Sequence, residues 1–586
     1  MEKNKKMKIL LIFPPFWMTI QPYLSLPALK AYLEREEHEV ITLDLSLVLE
    51  DWILHDNNLD IFFEFIEPII QDIFSKNTTT YFLGGKKQIL TLSKFINQEY
   101  ISLSQTKIAK SFLRKKENYY KTQKTPFNIN YCLTICYNFF KRLNLYFSYY
   151  FSPQYDLYKS EDLLSFSQDY HRNLLLHIVE KFMLENIIRL KPDIIGLSLI
   201  FQGQLTSTFT LASLLKKNLP SSHITVGGPY LTQILSRNLK KLSNLFKIID
   251  SIILGEGEIP LSKLASSLSE KNGLKQVPNL VFFKENEVII NNPPDKDINL
   301  DDLPTPDYEG LPLHRYLSAF PILSLQTSRS CYWGKCCFCN ATIPTNRNYR
   351  VRSPKLVVND LLVLKEKFKD AVFHFADDAT SPKQCKNISK LILEKGLDIR
   401  WFTEIRGEPL FNKDLCNLMY KAGARSVRIG LESINEKTLK LMNKGIKLNN
   451  CIEVIRNFAQ TGFLVHIFLM AFPGETMEDL MKMHDFVEKN LDIIHFFSFN
   501  EATQLFVNTP MWNDPEKFSL NIISHERDLC TFDEYTYSGE DLNYSQRLKI
   551  KEEFDWLLER TKIVVKELSL ASVLHSIGVT NYLVKS

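Results

Sequence analysis

The chain alternates short apolar segments with segments of helical periodicity, and this alternation restricts its possible folds more than any other feature. In its first part, the apolar segments are residues 8–13, 39–45, 193–201, 223–226 and 251–254. Helical periodicity lies between them, for example over residues 24–35 and 208–219. Strands that alternate with helices predict an α/β domain with a doubly wound, Rossmann-like parallel sheet. Such a sheet binds ligands at the carboxyl ends of its strands.

The same alternation returns in the second part of the chain. There the strand candidates are residues 322–327, 371–376, 399–405, 426–430, 464–470 and 494–499. Six strand–helix units in a row predict a partial (β/α)6 barrel of the TIM type. In barrels of this type the chemistry lies at the carboxyl ends of the strands.

These two parts give the predicted domain organisation of the 586-residue chain. The first domain covers residues 1–292 and includes a helical insertion over about 50–175, which is rich in Tyr, Phe, Lys and Asn. The insertion is either a lid over a pocket or a packed helical decoration. Residues 293–316 are rich in Pro and Asp, which predicts a linker. The barrel then covers 317–510, and a mostly helical tail covers 511–586.

The composition is that of a globular protein in a reducing compartment. The net charge of +4 is small for this length and gives no strong case for nucleic acid or a charged membrane as a partner. No apolar run is long enough for a transmembrane helix, and residues 9–13 are too short for a signal peptide. The cysteines outside one dense run lack a regular spacing, and we interpret Cys132 and Cys136 as a buried pair. We therefore expect a cytoplasmic protein that binds neither nucleic acid nor a membrane.

Four of the ten cysteines lie within nine residues, directly after the first barrel strand. Cys331, Cys336 and Cys339 have C-x4-C-x2-C spacing, which can hold three irons of a 4Fe–4S cluster and leave the fourth open to a small molecule. Using Cys337 instead of Cys336 leaves a one-residue gap, which is tight for two thiolates on different irons. Cys337 is therefore set aside. A zinc site is the alternative, but no Cys or His with the usual paired spacing follows in the next 30 residues.

From Ser328 to about Glu475 the chain resembles the radical S-adenosylmethionine (SAM) superfamily. Its first cysteine gap is one residue longer than the commonest gap in that superfamily. The resemblance implies that SAM chelates the open iron through its amino and carboxylate groups. One electron, from a reductant such as flavodoxin or ferredoxin, then cleaves SAM to methionine and a 5′-deoxyadenosyl radical, which abstracts hydrogen from the substrate.

The resemblance also implies which residues contact SAM. They are Phe338, Asp377, Asp378, Arg406, Glu432 and Ser433. A carboxylate at the end of the second barrel strand suits the SAM amino group, and a guanidinium after the third suits its carboxylate. The alternatives are a polar strand end in the first case and a surface arginine in the second.

Several neighbouring residues have an ordinary structural interpretation. Asn435 is expected to cap a helix, and Thr476 with Asp479 fits a capping box. His374 and His466 lie on strands, where a hydrogen-bonded core histidine is the leading interpretation.

A doubly wound domain in front of such a barrel resembles the cobalamin-binding subclass of the superfamily. The resemblance implies cobalamin contacts at Gln202, Gly227, Gly228, Pro229, Gly255 and Glu256. Small residues at these turns let the backbone approach the corrin. The Asp-x-His-x-x-Gly signature that supplies a histidine to cobalt is absent from the sequence. Some members of the subclass keep this fold without the cofactor, so a domain that does not bind cobalamin is the alternative.

The predicted function is that of a cobalamin-dependent radical SAM C-methyltransferase. Its substrate is expected to be a peptide or another small natural-product intermediate, methylated on an unactivated carbon. One alternative is a radical SAM enzyme of the same architecture that cyclises or rearranges its substrate without methyl transfer. A non-enzymatic cobalamin or iron–sulfur sensor is another. A tRNA methylthiotransferase normally has further N-terminal cluster cysteines and a basic RNA-binding tail, and the sequence has neither.

Overall fold

A computed structural model describes most of the chain. The described residues are 6–17, 19–55, 81–83, 86–88, 92–120, 155–234, 241–344, 348–523, 527–539 and 544–560, together with the single positions 58, 64, 132, 135, 136, 138 and 139. Much of the predicted insertion therefore lies outside the described residues. Cys132 and Cys136 are among the described residues of the insertion, and both are buried, as the sequence predicts.

The first domain contains a seven-stranded sheet. Its strands are β1 (Lys8–Phe13), β2 (Glu39–Asp44), β5 (Ile194–Ser198), β6 (His223–Gly227), β7 (Ser251–Ile253), β8 (Leu280–Lys284) and β9 (Glu287–Ile290), while β3 (Tyr81–Leu83) and β4 (Lys86–Gln88) form a separate hairpin. The order is β2-β1-β5-β6-β7-β8-β9. All strands run parallel except β8, which is antiparallel to both of its neighbours, β7 and β9. The strand order reverses between β1 and β5, and a crevice outside the carboxyl ends of such strands is where α/β sheets bind ligands.

Helices cover both faces of this sheet. Those with described bounds are α1 (Ser25–Arg35), α2 (Leu45–Ile53), α3 (Leu92–Leu113), α4 (Glu117–Tyr120), α5 (Ser160–Phe166), α6 (Leu174–Phe182), α7 (Leu184–Leu190), α8 (Leu205–Asn218), α9 (Pro229–Ile234) and α10 (Glu258–Glu270). Alternate residues of β1 enter two different apolar clusters: Ile9 and Leu11 belong to one, Leu10 and Ile12 to the other. The doubly wound sheet predicted from the sequence is confirmed.

The second sheet has six parallel strands in sequential order. They are β10 (Ile322–Leu325), β13 (Val372–Phe375), β14 (Arg400–Ile405), β15 (Ala424–Glu432), β16 (Leu464–Met470) and β17 (Phe496–Asn500). The helices that follow them are α11 (Pro354–Lys367), α12 (Pro382–Glu394), α13 (Lys413–Lys421), α14 (Glu436–Leu441), α15 (Leu448–Thr461) and α16 (Met477–Lys489). Strands β10 and β17 are the two edges of the sheet, so this is the partial (β/α)6 barrel that the sequence predicts.

Local capping explains where two of these helices begin. The Asn435 side chain accepts the backbone N–H of Lys437 at 3.0 Å, and α14 starts there. Thr476 and Asp479 form the predicted capping box at the start of α16, with reciprocal bonds of 3.2 and 3.0 Å. Both helices thus begin at the positions that the sequence pattern indicates.

The tail differs from its prediction. Strands β19 (Leu520–Ile523) and β20 (Phe532–Tyr537) pair antiparallel, and β20 also pairs with β18 (Leu505–Phe506). The expectation of a mostly helical tail did not include these strands, because β20 is held extended by its pairing with β18 and β19. Helices α17 (Pro510–Asn513) and α18 (Tyr544–Arg560) complete the described tail.

The predicted linker lies against the first domain. The Lys30 ammonium contacts the Asp307 carboxylate at 2.5 Å, and the Tyr316 hydroxyl donates to the Asp44 carboxylate at 2.7 Å. The domain limits themselves stay predictions. In the described part of the chain, no helix combines the length and the apolar composition needed to cross a membrane.

Candidate functional site

A cavity of about 880 Å³ lies where the strand ends of the first sheet face the inside of the barrel. Its lining is mostly apolar, with Trp17, Tyr23 and Phe201 on the wall of the first domain. The rings of Trp17 and Phe201 stack at 4.1 Å. The two domains therefore share one cavity, whose surface is mostly apolar and which charged and polar side chains of both domains also line.

Five of the six residues predicted to contact cobalamin line this cavity. They are Gly227, Gly228, Pro229, Gly255 and Glu256. The sixth, Gln202, does not belong to the lining, and its side-chain amide donates to the Tyr158 hydroxyl.

The backbone explains two of these glycines without any cofactor. Gly228 has φ +120°, and a Cβ there would come within 2.2 Å of the Leu199 carbonyl oxygen. Gly255 has φ +63°, and its Cβ would meet the Pro344 carbonyl oxygen at 3.3 Å. The turn after β7 is therefore packed directly against the segment that follows the cysteines.

The four thiols of the cysteine loop, residues 331–339, lie in two different environments. Cys331, Cys336 and Cys339 are partly exposed, whereas Cys337 is 3% exposed and belongs to an apolar cluster with Leu439 and other residues. The Cys337 backbone N–H donates to the Met442 carbonyl at 2.9 Å, and its carbonyl accepts from Met511 at the same distance. This environment suits a structural thiol at Cys337, and the assignment of the other three as cluster ligands stays a prediction.

Positive charge lies beside the cysteine loop. Burial raises the pKa of Cys336, and the nearby charges of Lys444 and Arg406 act in the opposite direction. The Arg406 guanidinium carbon lies 4.8 Å from the centroid of the Trp333 ring, and Trp333 belongs to the cysteine loop. Thiolates bound to an iron–sulfur cluster carry net negative charge, so these cations fit such a group.

A buried hydroxyl supplies a second test of fit. Ser330, directly before Cys331, is 3% exposed, lines the cavity and has no hydrogen-bond partner among the described residues. Native proteins rarely leave a buried polar group unsatisfied. A polar group bound next to Cys331 can accept a bond from Ser330, so the donor set fits a cluster with a ligand on its open iron.

The predicted SAM residues beside the loop already have partners. Arg406 donates to Glu408 at 2.9 Å, and Glu432 pairs with Lys444 at 2.7 Å. Ser433 donates to Glu475 at 2.5 Å. Phe338 packs edge-on against Phe472, with ring centroids 6.4 Å apart. None of Phe338, Arg406, Glu432 and Ser433 lines the cavity, but the charges of Arg406, Lys444 and Glu432 all act on Cys336.

The paired aspartates after β13 have distinct surroundings. The Asp377 carboxylate is buried and accepts four bonds: from the N–H of Thr327 and of Ser328, and from the hydroxyls of Thr327 and Thr380. It thereby fixes the segment that leads into the cysteine loop.

Asp378 faces the cavity with an exposed carboxylate. Partial desolvation at the cavity wall, together with the charges of Asp377 and Glu404, raises its pKa to about 7. Of the two aspartates, Asp378 is the one whose carboxylate is available to a ligand cation.

A row of polar side chains crosses the barrel wall of the cavity. The Ser324 hydroxyl lies 3.4 Å from Nδ1 of His374, Nε2 of His374 lies 3.2 Å from Glu404, and Glu404 accepts from Arg428 at 2.6 Å. Gln21 of the first domain donates to Ser324 at 3.1 Å. This polar row therefore joins the two walls of the cavity.

The electrostatics of the polar row keep its carboxylate charged. Although burial alone raises the pKa of Glu404, Arg428 and His374 bring it down to about 2. His374 stacks on Phe402 at 4.5 Å and reaches the cavity, so it is more than a core histidine. His466 is a core histidine as expected: it is buried and bonds Ser498 at 2.8 Å.

Sequence reasoning missed Glu404 and Arg428 as parts of the site. The signal was present, since both are charged residues within segments that the sequence predicts to be barrel strands. A charge on a buried strand is rare without a partner.

Comparison with known proteins agrees with this geometry. Residues 325–487 match the model of the radical SAM superfamily. An uncharacterized methyltransferase of Pyrococcus horikoshii, PH0819, is 28% identical over 352 residues, which are 59% of this chain and 74% of that protein. The hopanoid C-3 methylase of Methylococcus capsulatus is 26% identical over 383 residues, covering 64% of this chain and 69% of that one.

A solved structure shares the fold. It is that of the radical SAM methyltransferase TsrM from Kitasatospora setae with cobalamin and a [4Fe-4S] cluster bound. The TM-score is 0.55 at 16% identity, over 89% of this chain and 81% of that one. At this identity the likeness concerns the fold alone, and it covers both sheets described above.

Proposed function

This enzyme carries a radical SAM domain over residues 325–487, and we propose that it is a cobalamin-dependent C-methyltransferase. The domain implies a 4Fe–4S cluster and SAM. The observation that carries the proposal is the shared cavity, because the ligand-binding edge of a doubly wound sheet and the barrel interior line one space, which reaches Ser330 and Ala341 on either side of the cysteines. Similarity to two methyltransferases and to a structure with bound cobalamin supports it.

The chain's own residues hold and shield the reacting groups in this proposal. Cys331, Cys336 and Cys339 hold the cluster, and Asp378 accepts the amino group of SAM. The turns after β6 and β7 receive the corrin. When bound, SAM supplies a 5′-deoxyadenosyl radical and cobalamin supplies a methyl group, while the apolar cavity wall excludes water from both.

The substrate is proposed to be a peptide or another natural-product intermediate whose reacting carbon is unactivated. The polar row faces the first domain across the cavity and offers donors and acceptors to such a substrate at fixed positions. The row is pinned by hydrogen bonds and an ion pair, so it can orient a substrate without rearranging first.

The first test needs no substrate. The protein is purified with hydroxocobalamin, reconstituted anaerobically with iron and sulfide, reduced and given SAM labelled in its methyl group. We expect one cobalt per chain, formation of 5′-deoxyadenosine and transfer of the labelled methyl group to cobalt. Cys331→Ala should keep the cobalt and lose 5′-deoxyadenosine. Protein that binds no cobalt contradicts the proposal, and cobalt that never acquires the label favours the cyclising or rearranging alternative.

A further inference from the structure

Four charged side chains join the first domain to the strands that flank the cysteine loop. Glu256 lies on the turn after β7, Glu258 is the first residue of α10, and Arg329 and Arg350 lie on strands β11 (Ser328–Arg329) and β12 (Arg350–Val351). The two arginines are direct partners in the antiparallel β11–β12 pair. We call these four residues the interface clamp.

Both arginines of the interface clamp form bidentate ion pairs. Both terminal nitrogens of Arg329 contact the Glu258 carboxylate, one of them at 3.3 Å, and Arg329 also lies 3.1 Å from Glu256. Both terminal nitrogens of Arg350 contact Glu256, one of them at 3.1 Å. Bidentate pairing of this kind fixes orientation as well as distance.

The clamp is buried at its centre. The side chains of Arg329 and Glu258 are 9% and 6% exposed. A third hydrogen bond of Arg350, to the Ile298 carbonyl at 2.9 Å, connects β12 to the predicted linker. Ion pairs at the surface contribute little to stability. In a buried network, by contrast, separating the charges is strongly unfavourable.

The interface clamp lies between the cavity and the cysteine loop. Arg329 is two residues before Cys331, while Glu256 and Glu258 line the cavity beside Gly255. A rigid connection therefore runs from the turn expected to receive the corrin to the first predicted cluster ligand. Glu256, predicted from the sequence to contact cobalamin, has its carboxylate engaged by this connection instead.

We propose that the interface clamp is a positioning device that fixes the cysteine loop relative to the corrin-facing turn. Glu258 and Arg329 are its central pair. The role in relating two cofactors rests on the proposed function, whereas the hold on the cysteine loop does not. Misplacing reacting groups by about 1 Å can cost on the order of 100-fold in rate, so such a device bears directly on group transfer between the two sites.

The test compares Glu258→Gln with Glu270→Gln in the full-length protein. Glu270 is the exposed last residue of the same helix, α10, so its variant controls for loss of one carboxylate. Hydrogen exchange of peptides spanning residues 328–339 is measured before cofactors are loaded. We expect faster exchange in Glu258→Gln and none of this change in Glu270→Gln. Unchanged exchange in Glu258→Gln overturns the clamp.

The second readout uses the loaded protein. Iron and cobalt contents are measured first, then the magnetic interaction between the reduced cluster and cob(II)alamin by EPR. Glu258→Gln should keep both metals, weaken or broaden the interaction, and slow transfer of the SAM methyl group to cobalt by roughly 10- to 100-fold. An interaction and a rate equal to those of the parent protein overturn the positioning role.

The two readouts separate failure of this inference from failure of the proposed function. If the parent protein binds no cobalt, the proposed function fails, and the hydrogen-exchange result alone decides whether the clamp holds the loop. If Glu258→Gln does not fold, Arg350→Gln replaces it, because Arg350 is less buried and removes only the outer pair. The same two measurements then apply.

Discussion

The indole ring of Trp333 lies directly against the Cα of Gly445, so that a Cβ at this glycine would come within 2.1 Å of the ring. Gly445 also has φ +70°, and the Trp333 N–H donates to the neighbouring Asn443 carbonyl at 2.8 Å. Trp333 belongs to the cysteine loop, and Gly445 follows the helix after β15. This close approach anchors the loop to the barrel.

Gly445→Ala should therefore loosen the cysteine loop. Gly396→Ala is a matched control, because Gly396 has φ +62° and open space around its Cα. Both variants should lose about 1 kcal/mol of stability from the left-handed backbone. Only Gly445→Ala should also lose its iron–sulfur cluster faster, measured as the decay of cluster absorbance under a chelator. Equal decay rates in the two variants would show that the contact with Trp333 does not anchor the loop.

Replacing single cysteines should separate ligands from the structural thiol. Cys331→Ala, Cys336→Ala and Cys339→Ala should each lose most of the iron and sulfide after anaerobic reconstitution. Cys337→Ala should keep both and lose about 1 kcal/mol of stability, because it removes a small buried group from an apolar cluster. Iron and sulfide per chain are measured in all four. A cluster lost in Cys337→Ala and kept in Cys336→Ala reverses the assignment.

Asp378→Asn should stabilise the cofactor-free protein at pH 8. The pKa of Asp378 is raised to about 7 in the folded protein, so between its ordinary value and 7 the folded state binds the proton more readily than the unfolded state. Its contribution to stability is thus favourable at low pH and is lost as the pH rises through 7. Thermal unfolding should show a higher midpoint for Asp378→Asn at pH 8, with a smaller difference at pH 5. Asp414→Asn, which replaces an exposed carboxylate, should leave the unfolding midpoint unchanged at both pH values.

SAM affinity should follow the ionisation of Asp378. An ionised carboxylate accepts the SAM amino group, so binding should tighten between pH 6 and pH 8. Asp378→Asn should bind more weakly and lose this pH dependence, measured by calorimetry with the reconstituted protein. A parent protein whose affinity is flat across this range argues against contact between Asp378 and SAM.

Glu404→Gln should destabilise the protein by about 3–5 kcal/mol, because it leaves the buried Arg428 without its carboxylate. The pKa of Glu404 is lowered to about 2, so its contribution is present above its ordinary pKa and is lost as the pH falls from about 4.5 towards 2. Urea unfolding should therefore show the difference undiminished at pH 7 and reduced below pH 4. The double variant Glu404→Gln/Arg428→Met should be less destabilised than the sum of its single changes.

Much of the fold follows from local pattern. The six barrel strands, the doubly wound sheet and the caps at Asn435 and Thr476 depend on hydrophobic periodicity and on residues close in sequence. The tail shows the limit, because β20 obtains its strand conformation from pairing with β18 and β19 rather than from its own periodicity.

The site was less accessible from sequence than the fold. The cysteine spacing by itself predicts a cluster loop. The role of Asp377 is not predictable in this way, because its carboxylate accepts hydrogen bonds from Thr327 and Ser328, some 50 residues away. Likewise Glu258 and Arg329 are 71 residues apart, and no local pattern links them. Partners that meet only after two domains dock cannot be derived from spacing in one chain without other information.

The interface clamp also limits how such a protein can be rebuilt from parts. Each half contributes two of its four charges, so a first domain borrowed from another protein balances Arg329 and Arg350 only if its turn brings both carboxylates. A chimera with neutral side chains at positions 256 and 258 leaves both guanidinium groups at the domain junction without a carboxylate. Working hybrids will be those in which residues 255–258 and 328–352 are inherited from the same parent.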